Sequence, residues 1–349
     1  MTDYNPFVRG SRPVGTRKYN WTDTARDHTM PVDVWYPATE AHRDQDMTPA
    51  TMDTYEIVPG MGESSQYAVK DAEALSGEFP LIVFSHGFGA SRRQSTFFCT
   101  HLASHGYVVA AMDHVGNTTA DMISGVGSPG DPAVIDRFIV SRPQDASFVI
   151  SQMLNCASGH SVLPEQVGMS GHSFGGWTAL KTLESDTRVK AVLLLAPAGG
   201  FTSADPEDPF ATSLSFQWGR EVPTLYLVSD LDSITPLEGM QDLYRRNPDP
   251  RTSVVLNNAD HFHFNDDIEQ THDGFKTMMT MMGASEVVAE AMKSASELVA
   301  GQQAYDLING LGLAHFDAHL RGNSSAQSLL SGDLVALLAE RGTVIELMS

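Results

Sequence analysis

The stretch "QVGMSGHSFGGWTALKTLES", residues 166–185, decides how the rest of the chain is read. Its first part is a short apolar run closing on Gly171, its last part has the composition of a helix, and Ser173 stands at the joint. Gly171-His172-Ser173-Phe174-Gly175 fits Gly-x-Ser-x-Gly between a strand and a helix. That is the pattern of a nucleophile elbow, a turn so sharp that the residues around the serine must be small. A glycine-rich phosphate loop would need lysine in Gly-x-x-x-x-Gly-Lys-[Ser/Thr], and it is missing here. The helix that begins at the elbow aims free N–H groups and the positive end of its dipole at the serine.

Outward from the elbow, apolar runs alternate with helical stretches. "PLIVFSHG" (80–87), "YVVAAMDH" (107–114), "VKAVLLLAP" (189–197), "PTLYLVSD" (223–230) and "TSVVLNN" (252–258) are nearly continuous apolar segments. Strands of that kind are buried on both faces, so the pattern predicts an α/β fold with a mostly parallel sheet and helices on both faces. Ahead of it, "TRKYNWTD" and "MPVDVWYPA" (30–38) predict an antiparallel hairpin. Residues 1–349 read as one domain with loop or lid insertions near 38–79, 116–137 and 200–218, the last two expected to roof the site. After residue 270 the chain reads as helical.

Composition narrows the function classes. The 43 acidic against 22 basic residues leave a formal charge of −21, a surface that repels nucleic-acid backbones and anionic lipid, so neither nucleic acid nor stable membrane association is expected. Cys99 and Cys156 alone make neither a disulfide framework nor a zinc pair. No signal-peptide layout and no apolar run of spanning length is found, and a cytoplasmic protein is expected. His315 and His319 stand four apart in "AHFDAH", but Phe316 occupies the place of the glutamate in His-Glu-x-x-His, so they read as a helix-surface pair. The methionines of "KTMMTMMG" (276–283) read as core or lid packing. No metal or organic cofactor is called for.

A serine hydroxyl needs a base, and the base needs an acid to orient it. In the chain order Ser…Asp…His, "VSDLDSITP" offers Asp230 and Asp232, and "ADHFHFND" offers His261 and His263. Both segments follow strand-like runs, at the sheet edge that carries Ser173. His86 and His172 flank the site as loop supports, and Asp113 and His114 are candidates for its rim.

With these residues in order, the chain resembles the α/β-hydrolase superfamily. Within it, the chain is similar to the platelet-activating-factor acetylhydrolase-like and dienelactone-hydrolase-like esterases, and more distantly to cutinase-like polyester hydrolases. The resemblance rests on "MPVDVWYPA", "PLIVFSHGFGASR", "HLASHGYVVAAMDH", "GHSFGGWTAL", "SDLDSITP", "ADHFHF" and "LGLAHFDAHLRG". It implies Asp232 as the acid, from Gly-x-x-Asp before a proline, although Ser229 replaces the glycine ahead of Pro236. It implies His261 as the base, from Ala-x-His-Phe at 259–262. The residue after the nucleophile, Phe174, should give one oxyanion N–H, and the resemblance implies Phe88 for the other. The expected activity is a serine hydrolase cleaving small or short-acyl carboxylic esters through an acyl-enzyme, with a small-molecule ester as its partner. The same triad would serve an amide or lactone hydrolase, and a non-catalytic scaffold is the remaining alternative. Residue 173 being serine sets the chain apart from relatives with a cysteine nucleophile.

Overall fold

Each apolar run becomes a strand because its side chains find cover on both sides. A computed structural model of the chain describes residues 4–58, 60, 62–126, 132–281 and 292–348. The strands are β1 (Val14–Asp23), β2 (His28–Pro37), β3 (Asp53–Tyr55), β4 (Ser64–Gln66), β5 (Val69–Lys70), β6 (Glu78–Ser85), β7 (Val108–Met112), β8 (Ser161–His172), β9 (Val189–Leu195), β10 (Thr224–Ser229), β11 (Arg251–Leu256) and β12 (Ile345–Glu346). Ten of them form one sheet in the order β12-β11-β10-β9-β8-β6-β7-β2-β1-β5. The six from β11 to β7 are parallel, and β1 and β2 form the antiparallel hairpin beside them.

Helices cover both faces. α1 (Thr96–Ser104) and the long helix Gly301–Leu320 pack together on one side. After the short α2 (Thr119–Ile123), α3 (Pro132–Leu154) and α4 (Phe174–Leu183) pack on the other. Buried between are the near-continuous apolar strands, such as Leu81–Phe84, Val108–Met112 and Ala191–Leu195. No helix among the described residues is long and apolar enough to cross a membrane.

The connection that matters for function lies between β6 and β8. From β6 the chain moves to β7 on one side, then returns to place β8 on the other. Strand order reverses there, and parallel sheets leave a crevice at such a point, beyond the carboxyl ends of the strands.

Two expectations need adjustment. β8 starts at Ser161, upstream of its apolar part, and pairs with β6 across a register shift between Phe79 and Leu81. The 38–79 excursion holds the β3–β4 hairpin and the edge strand β5, so it is structured rather than loop throughout. Of the 116–137 insertion, residues 127–131 lie outside the described residues, as do 282–291 of the expected helical tail; the side chains of the methionines at 278–282 are likewise not described.

Candidate active site

β8 ends at His172 and α4 begins at Phe174, so Ser173 alone makes the turn, with φ 55° and ψ −119°. Side chains other than glycine rarely adopt that region, and the cost of order 1–3 kcal/mol must be met by the surroundings. Here the flanking peptides are pinned: Ser173 N donates to Leu195 O at 2.9 Å, and Ser173 O accepts from Ala198 N at 3.0 Å and Trp177 N at 3.1 Å.

The glycines of the elbow are needed for a separate reason, close approach. Gly171 pairs with Ser85 across the crevice. A Cβ on Gly171 would lie 2.3 Å from Gly175 O, and one on Gly175 would lie 1.9 Å from Ser85 O. Backbone oxygens held in a sheet or a helix cannot step aside. Gly175→Ala is therefore expected to destabilise the fold by at least about 4 kcal/mol, or to abolish soluble protein. Urea unfolding measures this, and a wild-type midpoint would contradict the steric argument.

The acid loop follows β10. Asp232 is buried, and its Oδ1 accepts Ile234 N at 2.9 Å and Thr235 N at 2.6 Å, while Ser229 Oγ donates to Oδ2 at 3.1 Å. The serine that departs from the expected glycine thus fastens the carboxylate. The histidine loop follows β11. His261 Nδ1 lies 3.0 and 2.9 Å from the two oxygens of Asp232, and 3.2 Å from Thr235 Oγ1. Thr235 Oγ1 also donates to Ala196 O, beside the strand end that holds Ser173.

The alternatives have other partners. Asp230 Oδ1 accepts from Ala259 N at 3.2 Å, bracing the start of the histidine loop. His263 uses both ring nitrogens structurally: Nδ1 accepts from Asp260 N at 3.0 Å on its own loop, and Nε2 lies 3.0 Å from Val299 O, just ahead of the long helix. Burial pushes its pKa down. Asp260 ties the two loops together, accepting from Ser233 N and Ser233 Oγ at 2.8 Å and from His261 N.

Across the crevice, Gly87 and Phe88 follow β6. A Cβ on Gly87 would stand 3.5 Å from Ser173 Cβ, so this loop touches the elbow. Among the described residues, neither Phe88 N–H nor Phe174 N–H has a protein acceptor. Their rings stack at 6.0 Å, Phe138 meets Phe88 edge-on at 6.2 Å, and Phe210 from the 200–218 segment lies 4.6 Å from Phe174. From the 116–126 side, Thr119 Oγ1 donates to Gly89 O, and α2 sets Met122 against Gly89. Aromatic and apolar groups therefore wall the crevice from two sides.

Beneath this wall lies a buried polar network. Arg142 is fully buried with its guanidinium 4.3 Å from the Phe174 ring centre. It donates to Thr178 Oγ1, Asn117 Oδ1, Ser85 Oγ and His86 O, and burial pushes its pKa down to about 9. Ser85 Oγ lies 2.9 Å from His114 Nε2, and His114 Nδ1 lies 2.9 Å from Asp145 Oδ2. His114 N in turn donates to His86 Nε2. His86 is thus a loop support, and His114, being buried, does not reach the rim. Asp113 is held by Arg92.

His315 corrects an expectation. It is buried, and burial pushes its pKa down to about 3, while His319 is exposed, so only one of the two lies at the helix surface. The long helix is covered around most of its circumference, which its sequence spacing did not disclose. No cluster of three or more His, Cys, Asp or Glu able to hold a metal occurs among the described residues. Gln94, Asn265, Arg142, Thr235 and Ser229 contribute to the site and carried no motif signal, apart from the glycine-to-serine departure at 229.

With the geometry described, similarity to known proteins can be stated. Two family models match: Platelet-activating factor acetylhydrolase, isoform II, over residues 8–124, and Serine aminopeptidase, S33, over residues 79–217. Platelet-activating factor acetylhydrolase of Gallus gallus is 24% identical over 217 residues, covering 48% of this chain and 51% of that protein. Cutinase est1 of Thermobifida alba is 26% identical over 188 residues, covering 52% and 53%. The chain thus spans about half the length of these two curated relatives. A ferulic acid esterase from Streptomyces cinnamoneus superposes with a TM-score of 0.64 over 97% of this chain and 96% of that one, at 22% identity. The fold is that of the α/β hydrolases. Ser173 falls inside a matched family stretch, while Asp232 and His261 lie beyond both.

Proposed function

We propose that this chain, an α/β hydrolase by fold, is a serine esterase that cleaves carboxylic esters with Ser173, His261 and Asp232. The observation that carries the reading is a strained serine at the end of β8, in the same crevice as a histidine whose Nδ1 is held 2.9 Å from a buried carboxylate. Asp232 keeps the imidazole proton on Nδ1, which leaves a lone pair on Nε2 to take the proton from Ser173 Oγ. Oγ bonds to the ester carbonyl carbon, and the carbonyl π electrons move to its oxygen. The N–H groups of Phe88 and Phe174 receive that oxyanion. Collapse breaks the C–O bond, and the alkoxide leaves with the proton from His261 Nε2. Water, deprotonated by His261, then attacks the acyl carbon; collapse breaks its bond to Ser173 Oγ, which takes the proton back from His261 Nε2 as the acid leaves. Asp232 stabilises the imidazolium formed in both halves.

The crowding of Phe88, Phe174 and Phe210 supports a small or short acyl group in a small-molecule ester. The names of the similar proteins (acetylhydrolase, cutinase, ferulic acid esterase) support an ester as the bond. A cytoplasmic setting is part of the reading, in keeping with Cys156 standing exposed as a free thiol.

The test is hydrolysis of p-nitrophenyl esters from acetate to decanoate, together with fluorophosphonate labelling. Turnover falling with chain length and one label per chain, on Ser173, are expected; no hydrolysis and no label would remove the reading. The match to the serine aminopeptidase model favours a second reading, amide hydrolysis by the same residues. Matched ester and anilide substrates separate the two, with faster anilide turnover supporting the second.

A further inference from the structure

Gln94 stands between the loop after β6 and the start of α1, almost wholly buried, and its side chain reaches three loops. Oε1 accepts from Gly87 N at 2.6 Å. Nε2 carries two protons, one donated to Asn265 Oδ1 at 2.5 Å and the other to His172 Nδ1. Its backbone carbonyl accepts from Asp266 N at 2.7 Å.

The bond to Nδ1 decides the state of His172. A ring that accepts at Nδ1 holds its proton on Nε2, and Nε2 lies 3.0 Å from His261 O. The two imidazole rings sit 4.4 Å apart. Burial and the neighbouring His261 hold the His172 pKa well below its ordinary value, so the ring stays neutral in one tautomer. The chain Gly87 N–H, Gln94, His172, His261 C=O is therefore closed: every donor meets an acceptor. Turning the amide over would set an N–H against the Gly87 N–H and an oxygen against two lone pairs, so its orientation is forced.

The strands involved show why such a tie matters. Gly87 follows β6 and His261 follows β11, with β8, β9 and β10 between them in the sheet. Without a direct link, the spacing between the oxyanion loop and the base would accumulate the play of three intervening strands.

We propose that Gln94 is a positioning residue which, through His172, keys the oxyanion loop to the backbone of the catalytic histidine. This rests on the functional reading given above. One amide sets where Phe88 N–H stands relative to His261, and Asn265 anchors that amide from the histidine loop.

The experiment compares Gln94→Leu, similar in size and without hydrogen bonds, with wild type on p-nitrophenyl acetate, using kcat per fluorophosphonate-titrated site. A misplacement of about 1 Å costs on the order of 100-fold. Accordingly kcat should fall by about that factor with KM nearly unchanged, and affinity for an arylboronic acid that mimics the tetrahedral intermediate should fall in parallel. Gln94→Glu keeps the size and the acceptor for Gly87 N but loses both donors, so its kcat should lie between the two. It also serves if Gln94→Leu does not fold. Nitrogen NMR of the histidines should show His172 protonated on Nε2 and bare on Nδ1. A variant that loses only titratable sites, with kcat per site unchanged, would overturn the proposal, as would a His172 ring protonated on Nδ1. Wild-type protein that neither hydrolyses the ester nor takes the label would remove the functional reading, and this proposal with it.

Discussion

Asp232→Asn is expected to lower kcat about 10⁴-fold, the size of loss that follows when a triad histidine is held in the wrong tautomer. The reason lies in how the carboxylate is anchored. Oδ1 accepts the N–H groups of Ile234 and Thr235, so an asparagine would keep its oxygen there and turn its NH₂ toward His261. His261 Nδ1 would then have to accept, moving the ring proton to Nε2, and in the proposed mechanism the ring could no longer take a proton from Ser173. Loop geometry should survive, so stability should change little. Asp230→Asn is the contrast: its oxygen braces Ala259 N, a single hydrogen bond worth about 1 kcal/mol, and kcat should be little changed. Steady-state kinetics on both variants decide which acid serves, and equal losses from both would contradict the assignment.

The second large effect is acid instability. His86, His101, His114, His160, His172, His263 and His315 are buried, and burial pushes the pKa of each down, to about 4 for His160 and about 3 for His101 and His315. An unfolded histidine titrates near 6.5. Below that pH the unfolded chain binds protons that the folded chain refuses, so stability is lost as pH falls. Each such histidine contributes about 1.4 kcal/mol per pH unit. Buried carboxyls work in the opposite direction. Burial pushes Asp266 up to about 7, so it holds a proton in the fold that the unfolded chain has released, and raises Asp113 and Asp145 in the same direction. With seven histidines outnumbering these carboxyls, several kcal/mol should go between pH 6.5 and 5, a large part of the roughly 5–15 kcal/mol that holds a domain folded. Urea unfolding at pH 7.5, 6.5 and 5.5 measures it. Constant stability over that range would show that the buried rings are charged in the fold.

The sheet was legible wherever a strand is a continuous apolar run closed by a turn, because burial on both faces leaves no other solution. It was illegible where pairing does not depend on apolar side chains. The first residues of β8 are followed by Pro164 and Glu165, which interrupt the run. β5 and β12 have two residues each, too few to show a period. The β3–β4 hairpin is held by side chains: Trp35 Nε1 donates to Gln66 Oε1 and Gln66 Nε2 to Asp53 Oδ2, both at 2.7 Å.

In the site, Ser173 was visible because its turn demands glycines in a fixed pattern. The acid and the histidine were narrowed to two candidates each by strand ends alone. Choosing between Asp230 and Asp232 depends on a three-residue turn whose bonds, Ser229 Oγ and Thr235 N to Asp232, exist only once the loop is folded. Gln94 and Arg142 had no signal at all. Each is a single polar residue whose partners are scattered along the chain, from Gly87 to Asn265 for the one and from Ser85 to Thr178 for the other.

The buried chain Ser85, His114, Asp145 repeats the connectivity ascribed to Ser173, His261 and Asp232: hydroxyl to Nε2, Nδ1 to carboxylate. The molecule therefore carries its own control for what makes such a triplet reactive. Ser85 is wholly enclosed, its oxygen already takes a proton from Arg142, and its backbone lies in a relaxed strand; Ser173 is 7% exposed and sits on a strained turn. On the proposed reading, admission of a substrate, rather than the wiring of the proton, is what separates an engine from a rivet.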